Sequence, residues 1–416
     1  MPPRTPTVVL GRSRKNWIAA GTIGAVSIVA VAGAWATAPI RQAQLNEAQT
    51  PYSAPQQPPA VAAQYAIGWQ APADSFNSKP VIADGLVISA DTTGDTGART
   101  TITAIDPTTG EAVWSYDRNA ELCSLGQAWS KVVADFRTGE GCGDVVAINA
   151  ATGQYAGTRS AIASENPVPI SSNDRVGIVS DQRVELWRSD LVRTVEYGDV
   201  YAKQEANMQP HEDCTIHSAL TRKELLGLVE ECEGTGWLRF QKATPEDSRE
   251  PQITADVQLP SADAQIVAIG QKGAAVYVSS PSPQIISFDS SGHQTAAQPV
   301  EAAPILQGHE GVFAPATADL PHHMTWFDGT RIYLFNPDTM AIERIFTDAI
   351  GTGTALGDRL VIPTVAGMSV ANWDTGDIER SFSYDRAGYS GSVGLVTASG
   401  VIVEKRGTTL VAVQPQ

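Results

Sequence analysis

A turn that returns about every 44 residues constrains this chain more than any other feature. Around Asp106 the sequence reads TTITAIDPTTGEAVWSYD: an apolar run, a polar turn, then a second run carrying aromatics. The same order recurs as DVVAINAATGQYAGTRS at Asn149 and QRVELWRSDLVRTVEY at Trp187. It returns as GWLRFQKATPEDSREPQI at Gln241, PQIISFDSSGHQTAAQPV at Asp289 and TRIYLFNPDTMAIERIF at Asn336. The last two copies are GMSVANWDTGDIERSF at Asn372 and TTLVAVQPQ at the C-terminus. Successive anchors lie 43, 38, 54, 48, 47, 36 and about 42 residues apart, the spacing of four-stranded propeller blades. A pair of β-sandwiches would also hold many short strands, but it gives no reason for one turn to recur at a fixed period.

The residues of the turn have local causes. Asp or Asn at its start accepts a hydrogen bond from its own backbone two residues on, and Gly110, Gly153 and Gly376 supply a positive φ. A second apolar strand precedes each anchor (KPVIADGLVISAD, SKVVADF, GAAVYVSS, DRLVIPTV among others), so each copy reads as a meander. The final copy stops where its outer strand should begin. Near the other end QYAIGWQAPAD stands without a partner, with Trp69 in the place that Trp114 takes in the first full copy. Pairing these ends in one composite blade would bury two exposed edges. The expected fold is therefore all-β: an eight-bladed propeller over residues 64–416 whose last blade is closed by the N-terminal strand. Seven blades remain the alternative if the copy at Gln241 is an insertion.

Ahead of the repeats, Arg4, Arg12, Arg14 and Lys15 precede an uncharged apolar run from Trp17 to Ala38. Its 22 residues give a helix of about 33 Å, enough for a hydrocarbon core of roughly 30 Å. The cations place residues 1–16 in the cytoplasm, residues 17–38 in the membrane as a signal anchor, and the repeats outside. A cleaved signal peptide is the competing reading, because Ala34-Trp35-Ala36 and Ala36-Thr37-Ala38 both fit a cleavage pattern. The length of the run and Pro39 after the second site weigh against it. Residues 39–63, rich in Gln, Pro and Ala, read as an unstructured or polyproline-like linker. The formal charge of −16 becomes −20 beyond residue 40, which excludes a nucleic acid partner.

Four cysteines, Cys123, Cys142, Cys214 and Cys232, all lie in the exported part, so disulfides are expected. Three connectivities exist, and the sequential one is favoured because each pair then brackets one strand-like run. Such short loops stabilise by about 3 kcal/mol each in the chain-entropy picture.

The pattern Ala104-x-Asp106-x-x-Thr109-Gly110-x-x-x-Trp114 resembles the repeat of pyrroloquinoline-quinone-type propellers, with thinner copies at Asn149 and Asn372. That superfamily includes quinone-dependent alcohol dehydrogenases and BamB-type scaffold proteins that bind no quinone. The resemblance implies structural roles for Trp69, Asp106, Gly110, Trp114, Asn149, Gly153, Asp289, Asn336, Asn372 and Gly376. The adjacent cysteine pair of the quinone enzymes is missing, and Trp114, Trp187, Trp237, Trp326 and Trp373 read as repeat positions. No G-x-S-x-G or S-x-x-K nucleophile occurs. His211-Glu212-Asp213-Cys214-Thr215-Ile216-His217 with Glu230 to Glu233 offers metal-type ligands at no recognised zinc spacing, so it reads as a disulfide among solvated acids. His322-His323 reads as an exposed loop pair, and Asp91 to Asp95 as a long hairpin lacking the later ligands of a calcium loop. The expectation is a single-pass, cell-envelope scaffold without catalytic residues, metal or cofactor, working through a protein partner. A small molecule or glycan at the channel is the alternative.

Overall fold

The computed structural model describes residues 13–55, 60–94, 97–139, 141–201, 203 and 205–416. It divides into two compact units, residues 1–44 and 45–416. The first is built on one helix, Arg14–Thr37, whose start is capped by Ser13: its hydroxyl accepts from the Asn16 amide at 3.2 Å. Its 24 residues reach about 36 Å, so it is long and apolar enough to cross a bilayer, as an anchor or as a signal sequence. The basic residues at positions 4 and 12 lie outside the described residues.

The second unit is an eight-bladed propeller. Eight antiparallel sheets follow one another along the chain, each with the meander order expected of a blade. Blade 1 runs from Val81–Ala83 through Leu86–Thr93 and Arg99–Ile105 to Ala112–Arg118. The copy at Gln241 is a complete blade, Thr215–Arg222 to Ile253–Gln258, which removes the seven-blade alternative. Its lengthened turn, not an insertion, makes the repeat faint. Blade 8 takes three strands from the C-terminus, Val393–Ala398, Val401–Arg406 and Thr409–Pro415, and its fourth from Tyr65–Pro72. Ile67 pairs with Val413 and Ala71 with Leu410 across that closure. Blade 8 then packs Val401, Val403 and Leu410 against Val87 and Ile105 of blade 1, which completes the ring.

The recurring turn joins the third and fourth strand of a blade, on what we term the lower face. In five of the copies the anchor side chain accepts from its own loop: Thr108 N to Asp106 at 2.8 Å, Thr152 N to Asn149 at 3.0 Å, Ser291 N to Asp289 at 2.9 Å. Asp338 N donates to Asn336 and Asp374 N to Asn372, both at 2.9 Å. The glycine then does two jobs. Gly110 has φ +77°, and a Cβ there would lie 2.6 Å from the Trp69 ring; at Gly153, φ +72°, a Cβ would lie 2.7 Å from Trp114. Each indole also donates to the next blade's turn, Trp69 Nε1 to Pro107 O at 2.9 Å and Trp114 Nε1 to Ala150 O at 2.7 Å. The outer strand of one blade thus clamps the turn of the next. Arg344 fills the same place over Gly376, and Val257 over Gly292.

Two features differ from the sequence expectation. Trp187, Trp237, Trp326 and Trp373 do not share one repeat position: they sit on third, third and second strands and in a turn. Moreover, the described part of the linker is not a free spacer. A strand at Gln44–Asn46 joins the outer edge of blade 1, Ala48 N donates to Thr152 O at 3.0 Å, and Tyr52 N to Ala151 O at 2.9 Å. Ala54 closes on the lower hairpin at Gly85. Residues 45–55 therefore strap the lower face of blades 1 and 2.

Gly110→Ala adds left-handed strain of about 1–2 kcal/mol and overpacks Trp69 by about 1–3 kcal/mol more. The expected loss is about 2–5 kcal/mol in a denaturant titration. A loss below about 0.5 kcal/mol, the level of a neutral surface change, would refute the clamp.

Candidate binding surface

The opposite, upper face carries the links between second and third strands and from blade to blade. It is held by two kinds of staple. The disulfides Cys123–Cys142 and Cys214–Cys232 both form, spanning 19 and 18 residues. Buried ion pairs do the rest. In blade 8 Glu404 accepts from Arg386 and Arg406, each at 2.7 Å, and from Tyr384 Oη at 2.6 Å. In blade 4 Glu230 takes Arg239 Nε at 2.7 Å and Tyr197 Oη at 2.7 Å. In blade 3 Arg183 bridges Glu185 and Glu196. Such pairs gain little net energy over apolar packing, yet losing one partner leaves a buried charge, so they fix the loop geometry.

Two buried carboxylates show how pairing decides ionisation. Burial raises the Glu404 carboxyl, but the Arg386 and Tyr384 hydrogen bonds outweigh it and hold it below its usual range. Asp135, buried between blades 2 and 3, accepts no side-chain hydrogen bond. Burial first, then the nearby Glu185 and Asp144 charges, push it up to about 7.

The centre of the upper face is roofed by the connection from blade 5 to blade 6. After the short helix Pro304–Leu306 this segment turns back: Phe313 N donates to His217 O at 2.7 Å, and Val312 packs on the blade 3–4 core. A cavity of about 370 Å³ lies on each side of it, and the two share Asp181 and Gly311. Asp181, Asp263 and Glu165 line them, together with His217 and His309, and among the described residues no lysine or arginine does. Gln265, 8% exposed, lines one of them with an Oε1 that has no hydrogen-bond partner. The surface is acceptor-rich and negative, so it suits donors and cations.

A third cavity, about 230 Å³, occupies the lower channel between the inner strands. There Lys79 Nζ reaches from blade 1 to Thr317 O of blade 6 at 2.8 Å, and burial lowers its amine against the pull of Asp319.

The other residues singled out from the sequence fall elsewhere. Trp69, Asp106, Gly110, Trp114, Asn149, Gly153, Asp289, Asn336, Asn372 and Gly376 all serve the lower turns. His322 and His323 pack on Trp373, at 6.2 and 5.9 Å between rings, and His323 Nε2 meets Glu343 at 2.8 Å. Asp91 to Gly94 form the tip of a blade 1 hairpin, and Asp95 lies outside the described residues. Neither the roof segment nor the acidic lining had a sequence signal, since both depend on a long connection folding back across two blades.

Residues 60–207 match the family model described as outer membrane protein assembly factor BamB. That match, together with the ring of four-stranded blades, supports a β-propeller of the PQQ-like superfamily. Among solved structures the propeller is similar to Sqt1 of Saccharomyces cerevisiae, at 10% identity, TM-score 0.41, over 68% of this chain and 79% of that one. It is similar to BBS1N in complex with ARL6DN at 10% identity and TM-score 0.40, over 86% and 98% of the two chains. A chain of the Mitotic Checkpoint Complex gives 9% identity and TM-score 0.44, over 88% and 97%. No curated protein matches the sequence.

The Asp135 result yields a test. Between about pH 4 and pH 7 the folded chain keeps a proton on Asp135 that the unfolded chain has lost. Stability therefore falls as pH rises through that window, by up to about 1.4 kcal/mol per unit. Asp135→Asn removes this cost, so its stability relative to the parent should climb from pH 4 to pH 7 and level off above. A difference independent of pH would show that Asp135 ionises normally.

Proposed function

We propose that this chain is a membrane-anchored, extracytoplasmic propeller that acts by binding a protein partner rather than by catalysis, as a scaffold or accessory subunit of the cell envelope. The carrying observation is the upper mouth. Two adjoining cavities lined by Asp181, Asp263 and Glu165, with no lysine or arginine among the described lining residues, flank an ordered roof segment. A basic segment of a partner is the chemistry that fits. The lower face of blades 1 and 2 is already strapped by residues 45–55, which leaves the upper face as the docking side. An N-terminal helix of spanning length preceded by basic residues supports the anchor and its orientation. The family description, an assembly factor, supports an accessory role.

A second reading has one observation of its own. Lys79 at the lower channel cavity offers an amine to a small anionic ligand.

The test is affinity purification of the full chain from detergent-solubilised membranes. Charge reversal at Asp181 and Asp263 together should reduce recovery of a stoichiometric partner by about tenfold or more, the scale of a binding hot spot. Reversal of Glu111 on the lower face should leave recovery unchanged. Equal recovery with both variants would move the interface away from the mouth. Recovery of the chain alone under every solubilisation condition would overturn the scaffold.

A further inference from the structure

Blade 4 brings together four residues that no role above uses for their ligand chemistry. His211 and Cys214 share one tight turn, with Cys214 N donating to His211 O at 3.3 Å. Glu230 and Cys232 are two apart near the end of the strand Leu225–Cys232, so they point to the same side of the sheet. One donor atom from each residue, imidazole nitrogen, two sulfurs and a carboxylate oxygen, lies within 4.8 Å of all the others. Tetrahedral zinc with bonds of about 2.0–2.3 Å places its donors about 3.3–3.8 Å apart, so only side-chain adjustment separates this arrangement from a coordination sphere.

We propose that His211, Cys214, Glu230 and Cys232 form a divalent-metal site of the zinc class, closed while the two cysteines are joined and opened by their reduction. The surroundings are those of a metal site. Tyr197 Oη donates to both Glu230 oxygens, at 2.8 and 2.7 Å, and Arg239 Nε donates to one at 2.7 Å, which orients the carboxylate from outside. Arg239 Nη2 lies 3.5 Å from Cys232 Sγ, where it favours a thiolate once the bond is broken. Charge closes as well. A dication, two thiolates, one carboxylate and the Arg239 guanidinium sum to zero, which lowers the cost of placing the metal in a partly buried site. The other disulfide is the internal contrast. Cys142 Sγ faces a backbone carbonyl, Glu165 O, and among the described residues His211, Cys214, Glu230 and Cys232 are the one group of three or more metal-type donors.

The chemistry balances in two steps. An external dithiol gives two electrons and two protons to the Cys214–Cys232 bond and becomes a disulfide itself, leaving two protein thiols. A divalent metal then displaces the two thiol protons, with no further redox change. In either state the loop before blade 4 stays tied to the end of its second strand, first by sulfur to sulfur and then through the metal.

The test uses the full chain in detergent. Reduction by a phosphine, which is oxidised by the disulfide to its oxide while water supplies the oxygen and the two thiol protons, gives the same two thiols without a competing thiol ligand. Zn²⁺ is followed by dialysis with elemental analysis, and Co²⁺ by its visible absorption. Reduction should raise uptake from none to about one equivalent, with the Co²⁺ bands of a tetrahedral sulfur-containing site. His211→Ala, a half-buried position, should weaken binding by about tenfold or more, while Cys123→Ser with Cys142→Ser should retain the site. Circular dichroism of each reduced variant separates lost binding from lost fold. No uptake by a reduced chain that remains folded would overturn the proposal. So would equal uptake before and after reduction, or full-affinity uptake by His211→Ala.

Discussion

The ring depends on one pairing between segments more than 300 residues apart, Tyr65–Pro72 with Thr409–Pro415. A propeller left open would present the outer edge of blade 8 as unpaired N–H and C=O groups, and would leave Trp69 with nothing to clamp. With the pairing made, the eighth blade holds the first through its outer strand as the first holds the second, Trp69 on Gly110 as Trp114 on Gly153, and Val257 and Arg344 take the same place at two further junctions. Gly68 and Trp69 sit in a break of the pairing register between Ile67 and Gln70. A bulge there redirects the indole out of the sheet and onto the neighbouring turn.

That bulge is general. In all eight blades the register shifts between the third and fourth strands. Nothing in the sequence marks it, because an extra residue in a strand has no fixed identity. The turn beside it was legible, because Asp or Asn and Gly are required by the local backbone wherever the contact is made. Where packing from elsewhere holds the turn, the motif decays: Leu191 in blade 3 and Met340 in blade 6 take positive φ values of +62° and +58° without being glycine. Leu191 and Met340 are both buried, so contacts compensate for the strain, and the repeat fades from view although the geometry persists.

The candidate surface was far less legible. The acidic balance beyond residue 40 indicated what the chain would repel, but not where its charge would gather. The roof over the upper mouth exists because Phe313 and Val312 return to blades 3 and 4, a contact that no periodicity encodes. The linker is a similar case. Its Gln, Pro and Ala content fits an unstructured spacer, yet residues 45–55 find backbone partners on two blades. Short polar segments follow whatever sheet edge and turn carbonyls the fold offers them, and composition alone does not carry that information. The strap on one face and the acidic cavities on the other make the two ends of the ring chemically different.

The most direct measurement is native-state hydrogen exchange on the full chain in detergent, read by peptide. The closure predicts that amides of Tyr65–Pro72 bonded to Thr409–Pro415 exchange as slowly as those of the interior strand Val401–Arg406, since opening that pair opens the ring. If Tyr65–Pro72 exchanged as fast as the exposed roof segment while Val401–Arg406 stayed protected, the eighth blade would be a three-stranded edge and the closed ring would be wrong.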